Sequence, residues 1–140
     1  RVAAAAEAAR ASKDGFVLTA RAESFLNGGT DLDEVIGRLK AYEDAGADVL
    51  FAPGLPSMEA VKEVCRAVTK PVNVLALFSL LDHPVEEYAE AGVARISIGG
   101  GLAWSAYGTL AEATRLLTDG SFAFLKENAG RGKKIGPHLR

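Results

Sequence analysis

The stretch AYEDAGADVLFAPGL, residues 41–55, decides the fold, because it runs from the end of a helix through a glycine stop directly into a short apolar strand. The same phrase returns as AEAGVARISIGGG at residues 89–101. In both, an Ala-Gly pair ends a helical pattern and a strand of about five residues follows at once, which is the join expected between successive β/α units. Upstream of the first phrase, Leu32, Val35, Ile36, Leu39 and Tyr42 recur at helical spacing behind Asp31, a capping residue, with Asp33 and Glu34 in the first turn. Downstream, Ser57 opens a helix carrying Met58, Val61, Val64 and Val68 on one face, and Lys70-Pro71 closes it.

Working outward, four strands are expected at residues 16–20, 48–52, 72–76 and 94–98, separated and followed by helices. The last helix in this series spans residues 102 to about 117. Strands alternating with helices imply right-handed crossovers and a parallel sheet. Two architectures fit: a complete flavodoxin-like module, or four units of a (β/α)₈ barrel. The recurring helix, glycine stop and strand favour the barrel, and so the α/β reading is half of a TIM barrel. The opening VAAAAEAARASK behind Arg1, with no cap before it, reads as the continuation of a longer chain.

Composition narrows the function classes. The chain is 49% apolar and 24% charged with net charge -2, and its basic residues are scattered, so a nucleic-acid groove or an anionic membrane surface is not expected. A single cysteine, Cys65, excludes an internal disulfide and points to a reducing, cytoplasmic setting. No apolar run reaches the roughly 20 residues of a membrane span.

In both architectures ligands bind beyond the carboxyl ends of the strands. After the first strand stand Arg21 and Glu23: a guanidinium fork suited to a carboxylate or phosphate, and an acid able to hold it. An ordinary ion pair at the sheet end is the alternative. Asn73 is a lone amide in the apolar VNVLA strand, where it either contacts substrate or links strands. Gly99 and Gly100 precede a helix and offer backbone N–H groups to an anion; close packing of the helix is the other reading. The loop at residues 53–56, Pro-Gly-Leu-Pro, shapes space but carries no proton. His83 and His138 lie beside prolines with no partner at a telling spacing and read as solvated.

Taken in order, FVLTARAESFL (16–26), AYEDAGADVLFAPGL (41–55), KPVNVLA (70–76) and GVARISIGGGLAWSA (92–106) resemble the C-terminal half of the isocitrate lyase and phosphoenolpyruvate mutase superfamily. That group includes methylisocitrate lyases, phosphonopyruvate hydrolases and oxaloacetate decarboxylases. The resemblance covers residues 1–127; the basic segment 128–140, with Arg131, Lys133, Lys134 and Arg140, lies outside it and reads as a flexible tail. It implies that Arg21 binds a substrate carboxylate or phosphonate, that Glu23 accompanies it, and that Asn73 lies near the substrate.

It further implies a Mg²⁺-assisted C–C or P–C cleavage of a small 2-oxo or hydroxy carboxylate through an enolate. The metal ligands and the lyase Lys-Cys-Gly-His loop belong to earlier strands, outside this chain, so the segment alone is expected to be inactive. Ala52-Pro53 stands where lyases carry a glutamate after the second strand, a departure from the isocitrate and methylisocitrate enzymes. The intact enzyme is expected to be a homo-oligomer, with residues 121–127 in the region that packs on a neighbour.

Overall fold

The structure is a computed structural model describing residues 1–138; Arg140 lies outside the described residues. Residues 1–99 and those from Gly100 onward form two compact units. In the first, α1 (Val2–Ala11), β1 (Thr19–Arg21), α2 (Leu32–Asp44), β2 (Val49–Phe51), α3 (Met58–Ala67), β3 (Val72–Leu75), α4 (Val85–Glu90) and β4 (Arg95–Ser97) follow one another, with 3₁₀ turns at Phe25–Asn27 and Phe78–Asp82. The second holds α5 (Gly101–Thr118), α6 (Ala123–Ile135) and a 3₁₀ turn at Gly136–His138.

The caps account for where helices begin. Asp31 accepts a hydrogen bond from the Glu34 amide at 3.1 Å, and Ser57 Oγ accepts one from Ala60 at 3.3 Å. The repeated phrase accounts for where they end. Gly46 and Gly92 have φ of 95° and 90°, conformations that favour glycine. Around them the Gly46 and Ala47 amides donate to Glu43 and Tyr42, and those of Gly92 and Val93 to Ala89 and Tyr88. This is the Schellman arrangement, satisfying carbonyls that the helix end would orphan. At Gly46 a side chain would also strike the Arg10 guanidinium.

All four strands are parallel, in the order β1-β2-β3-β4. Right-handed crossovers in a sheet that never reverses its order place every connecting helix on one face. A doubly wound module needs a reversal, which supplies its ligand crevice. None occurs here, so the fold is that of four consecutive units of a (β/α)₈ barrel. Ala20, Leu50, Val72 and Val74 on the helix-facing side are buried with Val35, Leu39, Val61, Val64 and Tyr88 in one core.

Two expectations change. The strand expected at 16–20 forms at Thr19–Arg21 instead, with Phe16 and Val17 exposed. The cause is register: Thr19 pairs with Val49, so Phe16 and Val17 would lie opposite the turn that ends α2, where no extended backbone is offered. Also, the boundary drawn at 127/128 falls inside α6, which continues to Ile135, whereas the division between units lies at Gly99 and Gly100. None of the described helices is long and apolar enough to cross a membrane.

Candidate functional site

The face of the sheet turned away from the helix core is where polar side chains gather. In register, Arg21 aligns with Phe51, Phe51 with Asn73, and Asn73 with Arg95. Alternation puts Thr19 and Ser97 on this face as well. Asn73 is 1% exposed, a polar side chain buried beside the apolar core. Its amide is fully oriented: Nδ2 donates to Ser97 Oγ at 3.0 Å, and Oδ1 accepts from Arg95 Nε at 2.9 Å. Ser97 Oγ in turn donates to the Val74 carbonyl at 3.3 Å. Thus Asn73 does link strands, the second of the two readings the sequence left open.

Arg95 reaches farther. Its Nη2 donates to Thr19 Oγ1 at 3.0 Å, joining β4 to β1. In a flat sheet three strand spacings of about 4.8 Å would separate these strands by roughly 14 Å. A hydrogen bond between side chains of the two requires that the sheet curl toward this face, as a barrel wall does. Arg95, Thr19 and the Asn73–Ser97 link were not apparent from sequence, although the alternation of Arg95 and Ser97 within one strand was a usable signal.

Arg21 and Glu23 form an ion pair at 2.5 Å, with side chains 55% and 44% exposed. They border an open cleft of about 820 Å³, together with Arg38, Tyr42 and the start of α1. So exposed a pair contributes little to stability, and the guanidinium stays accessible to a ligand. Beneath it, Ser24 donates to Glu34 at 2.7 Å and Arg38 bonds the same carboxylate. The Arg38 and Ser24 hydrogen bonds hold the Glu34 carboxyl below its ordinary range. Asn27 Nδ2 donates to the Glu23 carbonyl, fixing the backbone that carries the pair.

The other expected positions are distributed differently. Gly99, at φ 52°, ends the first unit, and Gly100 is the N-cap of α5 without a side-chain cap bond. Pro53 and Leu55 are buried, and Gly54, at φ 85°, packs on Phe25 and Leu26. That loop is structural and apolar. His83, read as solvated and without a partner, is partly exposed but pairs with Glu87 at 2.7 Å one helical turn away, a partner visible in the sequence as an i, i+4 spacing. Cys65 packs against the core, and burial pushes its thiol up. Among the described residues there is no group of three or more His, Cys, Asp or Glu that could hold a metal ion.

Comparison with known proteins agrees with the fold. Residues 1–118 match the model of the phosphoenolpyruvate phosphomutase family. A crystal structure of a candidate lyase/mutase from Burkholderia cenocepacia is 47% identical with TM-score 0.84, over 90% of this chain and 46% of its own. Oxaloacetate acetylhydrolase in complex with oxalate is 27% identical with TM-score 0.74, over 84% of this chain and 41% of its own. Oxaloacetate decarboxylase from Paraburkholderia xenovorans is 37% identical over 68 residues, 49% of this chain and 22% of that protein. The chain therefore spans less than half the length of each of these relatives.

Proposed function

Because the chain belongs to the phosphoenolpyruvate mutase family, we propose that it forms the anion-binding part of an enzyme cleaving a C–C or P–C bond in a small 2-oxo or hydroxy carboxylate. The observation that supports this most is Arg21. It sits at the carboxyl end of β1, where barrel enzymes bind substrate, paired with Glu23 yet more than half exposed. Its fork receives the substrate carboxylate or phosphonate in two parallel charge-assisted hydrogen bonds. Glu23 holds the fork in place before substrate arrives, and Asn73 keeps the sheet beneath it in register.

Cleavage leaves electrons on the substrate as an enolate, which needs electrophilic stabilisation. Mg²⁺ is the ion the family resemblance implies. Among the described residues no group of three or more His, Cys, Asp or Glu gathers to hold it, and the roles proposed for this chain are binding and orientation. Metal and acid–base groups would come from outside residues 1–138. We further read the intact enzyme as a homo-oligomer, consistent with the apolar side chains exposed on α5 and α6.

The test is turnover by the full-length polypeptide of oxaloacetate and phosphonopyruvate, with and without Mg²⁺, for wild type and Arg21→Ala. Losing a bidentate charge-assisted contact of about 3 kcal/mol should lower kcat/KM roughly 100-fold. Unchanged kcat/KM in the variant would remove Arg21 from the site. Absence of turnover of both compounds under either condition would remove this substrate class.

A further inference from the structure

Phe78 is strained, exposed and firmly held. Among the described residues it is the one non-glycine with a positive φ, 51°. A bulky side chain in that region crowds its own backbone, at a cost in stability. Such strain persists only where the surroundings impose it, and here they do so just beyond the ring. Ser79 Oγ donates to the Pro56 carbonyl at 2.6 Å. Leu80 is buried, its amide donates to the Leu77 carbonyl at 3.1 Å across Phe78, and its carbonyl accepts from the Tyr88 hydroxyl. The Phe78 ring itself is 69% exposed, so core packing does not offset the strain. A loop that needed only this turn would be served by glycine at no steric cost. The ring therefore has a use outside the fold.

The location is equally specific. Phe78 follows the end of β3 at Leu75, on the carboxyl side of the strands, where barrel enzymes bind substrate. Because β3 is flanked by β2 and β4, this exposure is not that of a sheet edge. The Ser79 bond to Pro56 ties the loop to the one after β2, whose Gly54 packs on Phe25 and Leu26 in the loop after β1. The loops after β1, β2 and β3 are thereby braced into one rim, which starts where β1 ends at Arg21. On that rim Phe78 presents an apolar surface fixed in place.

Resting on the carboxylate-binding reading above, we infer that Phe78 is a specificity-determining residue whose ring receives an apolar branch on the carbon skeleton of the substrate. The braced loop fixes the backbone that carries the ring before substrate arrives, which lowers the ordering cost of the contact. The preferred substrate is an alkyl-branched carboxylate rather than an unbranched one of equal charge.

Malonate and isopropylmalonate carry the same charge and differ only in the apolar branch; oxalate serves as the reference anion. Calorimetric titration of the full-length polypeptide in Mg²⁺-containing buffer would compare wild type, F78A and F78G, with melting temperatures recorded in parallel. Wild type is expected to bind isopropylmalonate at least tenfold more tightly than malonate, the effect of burying about two methylene groups. Both variants should bring the two affinities within about twofold of each other and keep malonate within about twofold of wild type. F78G, freed of the strain, should melt above F78A. A preference kept in both variants, or absent from wild type, overturns the inference and leaves the carboxylate reading intact. So does loss of both malonates together in the variants, which would make Phe78 a shaper of the loop, or F78G melting below F78A, which would remove the strain. Oxalate bound by wild type without either malonate overturns this inference alone; if none of the three binds, the carboxylate reading fails and this inference with it. Should neither variant fold, wild type decides by nuclear Overhauser transfer: the isopropyl methyl protons must reach the Phe78 ring, and no transfer at saturation overturns the proposal.

Discussion

Residues 1–99 and the segment from Gly100 onward are both rich in apolar side chains, yet among the described residues those classed as buried lie in the first. In the first unit Leu39, Leu50, Val61 and Val64 are completely inaccessible. In the second, α5 has no buried residue, and Leu102 and Trp104 are each 76% exposed. The helices themselves are comparably well made: α5 ends in the same Schellman arrangement, with Gly120 and Ser121 donating to Leu117 and Leu116. The difference teaches that local signals build a helix, while burial needs a sheet whose register presents a matching apolar face. α2 and α3 have β1, β2 and β3 to pack on.

The sharpest way to break this contrast is a pair of truncations. Leu50→Ala should cost about 2–5 kcal/mol, since a cavity remains in the core, whereas Leu110→Ala in this chain should cost no more than about 0.5 kcal/mol. Urea denaturation of both variants checks it; equal losses would mean that α5 is as firmly packed as the sheet. A smaller effect is expected from a pair of tyrosines. Tyr88, buried and donating its hydroxyl to the Leu80 carbonyl, should lose about 1–3 kcal/mol as Tyr88→Phe, because the carbonyl is left unsatisfied. Tyr107→Phe, exposed on α5, should be neutral within error of the same measurement.

Removing a cap sharpens the comparison further. Ser57→Ala should cost about 1 kcal/mol, read from the same denaturation curves, while α5 has no side-chain cap to lose.

The smallest effect concerns pH. Hydrogen bonds from Thr69 hold the Glu43 carboxyl below its ordinary value. A lowered folded pKa stabilises above the unfolded pKa, about 4.3 for a glutamate, and that contribution is lost as pH falls through the folded value. The stability gap between wild type and Thr69→Val should therefore be constant near neutrality and shrink as pH drops below about 4.3. A gap independent of pH would show that the Thr69 contact does not depend on the carboxylate charge.

Much of the barrel architecture was legible because its determinants are local. Asp31 and Ser57 announce helix starts, and Gly46 and Gly92 announce stops that only glycine meets comfortably. The extent of β1 was not legible, since Phe16 and Val17 carry strand chemistry but lie opposite the turn that ends α2. The end of α6 was not legible either, because its basic composition resembles a solvated tail while its backbone remains helical. Of the site, Arg21 with Glu23 could be read from two residues of spacing. The Arg95 link could not, because it depends on β3 and β4 being in register at Asn73 and Arg95 and on the sheet curling to bring Thr19 within reach. His83 with Glu87 was readable as a one-turn spacing.

Central to the proposed function is that Arg21, at the carboxyl end of β1, receives one anionic end of a small carboxylate. A crystal structure of the full-length polypeptide with oxalate tests it most directly. The expected result is oxalate with its oxygens within hydrogen-bonding distance of the Arg21 guanidinium. Oxalate bound elsewhere, with Arg21 still engaged only by Glu23, would contradict it.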